Sequence, residues 1–173
     1  WYSIHWFLAF LLGPDATGRF AACETLALLS NPLVLGLGNS LGPRSAQAFL
    51  QEGGHAVRAV IGYASSCVGG LMAVFVGLAF LFGKNMLTLV FGPDYAGSES
   101  WSTLVVLTVA LLFGALGNIL DIGLRAVNRP GVAFRVSLSS LVVTIVAVSV
   151  LIHPFGVLGA AGGLLIGRVV AAA

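Results

Sequence analysis

Five long apolar stretches, and part of a sixth, run through the chain with only short turns between them. A bilayer core about 30 Å thick is crossed by about 20 apolar residues per helix, and the chain provides that length several times over. Apolar residues make up 58% of it and charged residues 8%, against roughly 25% charged in soluble domains. Inside hydrocarbon the backbone has to satisfy its own polar groups, which leaves helices or a closed barrel. A barrel would alternate polar and apolar residues, whereas these runs are continuous. The expected fold is all-α: a polytopic transmembrane helix bundle. A net charge of +2 without a basic run argues against a nucleic-acid partner. Trp1 stands inside an apolar run with no Met before it, and neither end carries a polar tail. We therefore expect a piece of a longer membrane protein.

Breaker residues divide the runs into helices over about 1–12, 17–41, 56–82, 98–127, 132–152 and 157–173. Gly13-Pro14-Asp15 and Gly92-Pro93-Asp94 repeat one turn: Gly ends a helix, Pro cannot continue it, and Asp can cap the next. Asn128-Arg129-Pro130-Gly131 and His153-Pro154-Phe155-Gly156 make two further tight turns. The second helix is interrupted at Asn31-Pro32. Residues 43–52 allow either a short amphipathic helix on the interface, with Ala46, Phe49 and Leu50 on one face, or an ordinary connecting loop.

Lys and Arg set the orientation. One set of loops and helix ends holds Arg44, Arg58, Arg125, Arg129 and Arg135. The opposite set holds Arg19 and Lys84 beside Asp15, Asp94 and Glu99. The first set, with loops 42–55 and 128–131, is expected in the cytoplasm, in a multi-pass protein of the bacterial cytoplasmic membrane.

Small residues drive helix packing in lipid. Gly159, Gly163 and Gly167 stand four apart on the sixth helix, and Ser137, Ser140 and Thr144 lie on the fifth. The third carries Gly62, Ser66, Gly70, Ala73 and Gly77 along one stripe. These read as packing seams. Cys23 and Cys67 lie in apolar helices without partners at metal-site spacing, and His5, His55 and His153 have no neighbouring ligands in the sequence. No metal or other cofactor is expected. No nucleophile–base pair or phosphate-binding Gly loop is visible, so no catalytic residue is assigned and an enzyme is not expected.

Ionisable and polar groups within the membrane are costly and tend to serve function. Thr17, Glu24, Asn31 and Gly38 recur every seven residues and share one face of the second helix. Glu24 would lie about 10 Å below the outer end at 1.5 Å per residue. It either lines a hydrated cavity with Asn31 or pairs with a neighbouring helix. Arg168 either snorkels to the cytoplasmic side or supplies positive charge to a cavity. Asp121 and Arg125, four apart, read as a pair along their helix.

Six elements follow one another over almost the whole chain. They are Leu11-Leu12-Gly13-Pro14-Asp15-Ala16-Thr17-Gly18-Arg19-Phe20; Asn31-Pro32-Leu33; Leu41-Gly42-Pro43-Arg44-Ser45-Ala46, with Gly53-Gly54 after it; Phe91-Gly92-Pro93-Asp94-Tyr95; Leu124-Arg125-Ala126-Val127-Asn128-Arg129-Pro130; and Phe155-Gly156-Val157-Leu158-Gly159-Ala160-Ala161. Their order and spacing resemble the C-terminal half of a polysaccharide-biosynthesis flippase of the MOP (multidrug/oligosaccharidyl-lipid/polysaccharide) superfamily. The resemblance implies that residues 1–173 are one six-helix lobe, helices seven to twelve. It implies a pseudo-symmetric N-terminal lobe, absent from this chain, and a cavity between the two. It implies export of a lipid-linked oligosaccharide or polysaccharide precursor by alternating access, with membrane lipid, that substrate and the missing lobe as partners. Substrates of the family carry a diphosphate, so basic cavity residues are expected; Arg19 and Arg168 are the candidates, beside Glu24 and Asn31.

A drug/cation antiporter of the same superfamily is the nearest alternative, favoured if Glu24 is a proton or cation site. A non-transporting membrane subunit or an envelope-polymer enzyme is the alternative of another class. The charge bias makes a direct prediction. Cysteines introduced at Gln51 and Asn128 should resist an impermeant thiol reagent in intact cells, and one at Ser98 should react. The reverse pattern would invert the orientation.

Overall fold

A computed structural model describes residues 2–95, 97–128 and 130–173. Arg129, counted above in the basic set, and Trp1 and Ala96, which fall in the expected helix and turn, lie outside the described residues. Among the described residues the chain is all-α: α1 (Tyr2–Leu12), α2 (Pro14–Ala27), α3 (Asn31–Glu52), α4 (Gly54–Phe91), α5 (Ser98–Ala126) and α6 (Pro130–Ala172). Gly54–Phe91, Ser98–Ala126 and Gly131–Ala172 are each long and apolar enough to cross a membrane. The bent pair of Pro14–Ser30 and Val34–Glu52 makes a fourth span if taken together. The chain is a membrane protein of the helical-bundle class.

α6 is a hairpin. Gly156, at φ 55° and ψ −128°, interrupts it in a conformation that side chains disfavour. The chain reverses there, so that residues 157–172 run back along 130–155. A Cβ added at Gly159 would strike the Leu151 carbonyl, one at Gly163 would lie 2.6 Å from Val148 Cγ2, and one at Gly167 would overlap the Thr144 hydroxyl. The partner numbers fall as the glycine numbers rise, which fixes the arms as antiparallel. Ser140 donates its hydroxyl proton across the seam to the Gly167 carbonyl at 2.7 Å. Backbones approach this closely only because the side chains are missing.

Proline chemistry explains the bend between α2 and α3. Pro32 has no N–H to give the Leu28 carbonyl, four residues back, and its ring crowds that oxygen. The Asn31 N–H takes the Leu28 oxygen instead, in a 3₁₀ turn over Leu28–Ser30. The axis turns by 47°. The interruption expected at Asn31-Pro32 is therefore expressed one turn earlier.

Three expectations need correction. The second helix, expected to end at Leu41, runs on to Glu52, so that of the two readings open for 43–52 the helical one holds, as a continuation of α3; Gly53, at φ 75°, makes the turn into α4. Pro43 sits inside α3 without ending it. The third helix, expected over 56–82, runs to Phe91, because the first residues that stop it are Gly92 and Pro93. Its 38 residues span about 57 Å at 1.5 Å per residue, well beyond the bilayer core. The two Gly-Pro-Asp turns also differ. Pro14 opens α2 directly, whereas Pro93 opens a 3₁₀ turn, Pro93–Tyr95. α2 is capped by Gly13 and α5 by Gly97, neither through a side-chain bond, so Asp15 and Asp94 do not serve as caps.

Two apolar clusters hold the bundle. One joins α1, α2, the second half of α4, the first half of α5 and α6 around its turn, with Leu8, Phe20, Leu87, Leu107, Ile152 and Ala160 fully buried. The other joins α3, the first half of α4 and the second half of α5 through Leu41, Val57, Val68, Met72 and Ile119, without α6. The bundle is thus closed at the end carrying the α6 turn and splays at the other.

The hairpin seam yields a stability prediction. Gly163→Ala and Gly167→Ala overpack it and should each cost about 1–3 kcal/mol. Gly70→Ala, with open space around its Cβ, should stay within about 0.5 kcal/mol. Thermal unfolding in detergent measures both; equal midpoints would remove the seam from the account.

Candidate functional site

The splayed end forms a cleft of about 990 Å³ between α3, α4, α5 and the free ends of the α6 hairpin. Its walls are largely apolar, from Leu28, Val34, Ile61, Met72, Leu111 and Val136. Polar groups are set among them: Ser30 and Asn31 beside the proline bend, His55 and Arg58 on the first turns of α4, Asn118 and Asp121 on α5, and Ser137 and Arg168 on the two arms of α6. Each helix contributes polar groups for a local reason. The bend brings Ser30 and Asn31 to the cleft, and the turn at Gly53 starts α4 at its rim. Gly114, Gly117, Asn118 and Asp121 share one face of α5 at spacings of three and four.

Gly114 and Gly117 also seat the second arm of α6. A Cβ at Gly114 would lie 3.3 Å from Arg168 Cδ, and one at Gly117 3.3 Å from the Ala171 carbonyl. Arg168 is half-buried against α5. It stands eleven residues past Val157, about 16 Å along the arm from the hairpin turn. This places a guanidinium well within the thickness of a bilayer core. Asp121, on the same lining, is bound to Arg125 at 2.9 Å. Arg58 and Arg168 are the two guanidinium groups on the cleft lining.

Asn31 and Arg168 meet at this cleft, and Glu24 and Arg19 do not line it. Glu24 is buried on the other side of α2, with its Oε2 2.9 Å from His5 Nε2 on α1. Arg19 is exposed near the opposite end, beside Cys23, Glu99 and Thr103 in a crevice with no room for water. Cys23 is buried, its thiol donating to the Ser100 carbonyl at 3.2 Å, while Cys67 is exposed. The heptad spacing places Glu24 and Asn31 on one face only if the helix is regular. The 3₁₀ turn between them separates the two. His55, Arg58, Asn118, Asp121 and Ser137 were not singled out from the sequence as lining residues. The i, i+3 pair Asn118/Asp121, one turn from Gly114 and Gly117, was the available signal.

Comparison with protein-family models, with curated proteins and with solved structures finds no match to the chain.

A hydrated cleft makes a direct prediction. In a protein freed of the exposed Cys67, Asn118→Cys and Ser137→Cys should react rapidly with a water-soluble maleimide in lipid vesicles. Leu141→Cys, one turn beyond Ser137 and exposed outside the cleft, should react far more slowly. Equal rates would mean that the cleft is dry.

Proposed function

We propose that the chain is the C-terminal six-helix lobe of a transporter that moves a lipid-linked oligosaccharide or polysaccharide precursor across the bacterial cytoplasmic membrane. The observation that carries the reading is a cleft that sets the guanidinium groups of Arg58 and Arg168 among largely apolar walls. Arginine presents a planar fork of donors that matches phosphate oxygens. Asn31, Asn118 and Ser137 add neutral hydrogen-bonding groups, and the apolar walls suit a lipid chain. A polar cavity of this size inside a membrane bundle marks a substrate path more often than a packing fault.

In this reading the N-terminal lobe covers the cleft, and rocking of the two lobes gives alternating access. The 3₁₀ bend and the closed end around the α6 turn give the lobe one fixed end and one that opens. The excess of arginines at the cleft end orients that end toward the cytoplasm, so the lobe is shaped to receive substrate from inside. A drug/cation antiporter is the second reading: the Asp121 carboxylate lines the cleft, paired with Arg125, while Glu24 lies off the cleft and is bound to His5.

The test is made in the full-length protein. Arg168→Gln and Arg58→Gln should each lower export of the lipid-linked precursor about tenfold, which corresponds to roughly 1.4 kcal/mol, with protein abundance unchanged. Surface polysaccharide and protein level are measured together. Undiminished export in the double variant would reject an anionic substrate in this cleft.

A further inference from the structure

The His5–Glu24 contact takes no part in the cleft and joins the two helices on either side of the Gly13-Pro14 turn. His5 lies eight residues before Gly13 and Glu24 ten after Pro14, about 12 and 15 Å along their helices from the turn. Both therefore lie more than two helical turns from the turn that joins α1 and α2. The Glu24 side chain is 9% exposed and that of His5 29%. The edge of Phe20 packs on the imidazole, with ring centres 5.7 Å apart. The second ring nitrogen, His5 Nδ1, is buried and has no hydrogen-bond partner among the described residues.

We infer that His5 and Glu24 form a proton-binding site that bridges α1 and α2 and takes up one proton. A neutral imidazole facing a carboxylate carries its hydrogen on Nε2 and donates it to Oε2. Nδ1 then holds a buried lone pair, and the pair carries one uncompensated negative charge in an apolar surround. One proton taken from water onto Nδ1 leaves imidazolium and carboxylate with no net charge. Passing the Nε2 hydrogen to Oε2 gives neutral imidazole and carboxylic acid with the same count. Release returns that proton to water, and no other reactant takes part. A second proton would leave the pair as imidazolium beside a carboxylic acid, with a net positive charge in the same surround. Low dielectric thus selects the one-proton state.

The nearest other ionisable side chains on the packed elements are engaged or placed elsewhere. Cys23, the neighbour on α2, donates to Ser100 on α5. Glu99 is exposed at the start of α5, and Lys84 of α4 lies over the Trp101 ring. On α6, the His153 ring bonds to the Ser149 carbonyl, and Arg168 lies against Gly114 on the cleft side. Arg19 is exposed on α2, nearer the turn. This inference does not depend on the transport reading.

Infrared difference spectroscopy between alkaline and acidic samples of the full-length protein in lipid nanodiscs tests it. Ring-labelled histidine, with every histidine but His5 replaced by Asn, His55 and His153 among them, isolates the His5 bands. In otherwise unsubstituted protein the Glu24 carboxyl or carboxylate bands and the His5 imidazole bands should change together, with one shared midpoint. Glu24→Gln, which keeps the shape and the hydrogen bond, should remove the Glu24 bands and move the His5 midpoint by at least about one pH unit, the signature of coupled sites. An imidazole midpoint unmoved by Glu24→Gln, or separate midpoints in the protein with Glu24 in place, would overturn the site.

Discussion

The contact on which the bundle rests is the backbone-to-backbone seam inside α6. Lipid tails are as apolar as leucine, so burying side chains against each other gives little drive for association in a membrane. Close packing and hydrogen bonds across the helices have to supply it. Gly159, Gly163 and Gly167 let one arm settle onto Val148, Thr144 and Ser140 of the other, and the Ser140 hydroxyl reaches the Gly167 carbonyl. The hairpin so formed lies against α5, where Gly114 and Gly117 repeat the device. Because the turn end also shares the apolar cluster of α1, α2, α4 and α5, that end is fixed.

The cleft follows from where this packing stops. α6 contributes nothing to the second cluster of α3, α4 and α5. The free ends of its two arms stand off from α3 and α4, and polar groups that would be penalised against lipid or in a packed core gather in the gap. A bundle that is tight at one end and open at the other places a guanidinium at membrane depth without burying it in hydrocarbon. Shape and charge are consequences of one arrangement of small residues.

Much of the fold was legible because hydrophobic length and helix breakers are local signals. The six apolar runs correspond to α1, the bent α2–α3 pair, α4, α5 and the two arms of α6, and the glycines at intervals of four on the last arm mark its seam. Helix ends were less legible where polarity and breakers disagree. Lys84 and Asn85 ended the apolar run, yet nothing stops α4 until Gly92-Pro93. Residues 43–52 allowed a short interfacial helix or a connector, and Pro43, lying inside α3, leaves that helix continuous to Glu52. The candidate site was the hardest part to read. Whether Glu24 meets Asn31 or His5 depends on rotation across a 3₁₀ turn, and the α1 partner lies nineteen residues away. Arg168 reaches the cleft because Gly114 on another helix makes room for it, which no local pattern encodes.

We propose that this bundle is one lobe of a transporter and presents one wall of a water-filled chamber to a second lobe. A structure of the full-length protein in a lipid nanodisc tests it most directly. The account predicts a second helical lobe facing Asn31, Arg58 and Arg168 across a space that contains ordered water or polar ligand. Acyl chains lying in the cleft, or a helix packed tightly against those residues with no space between, would contradict it.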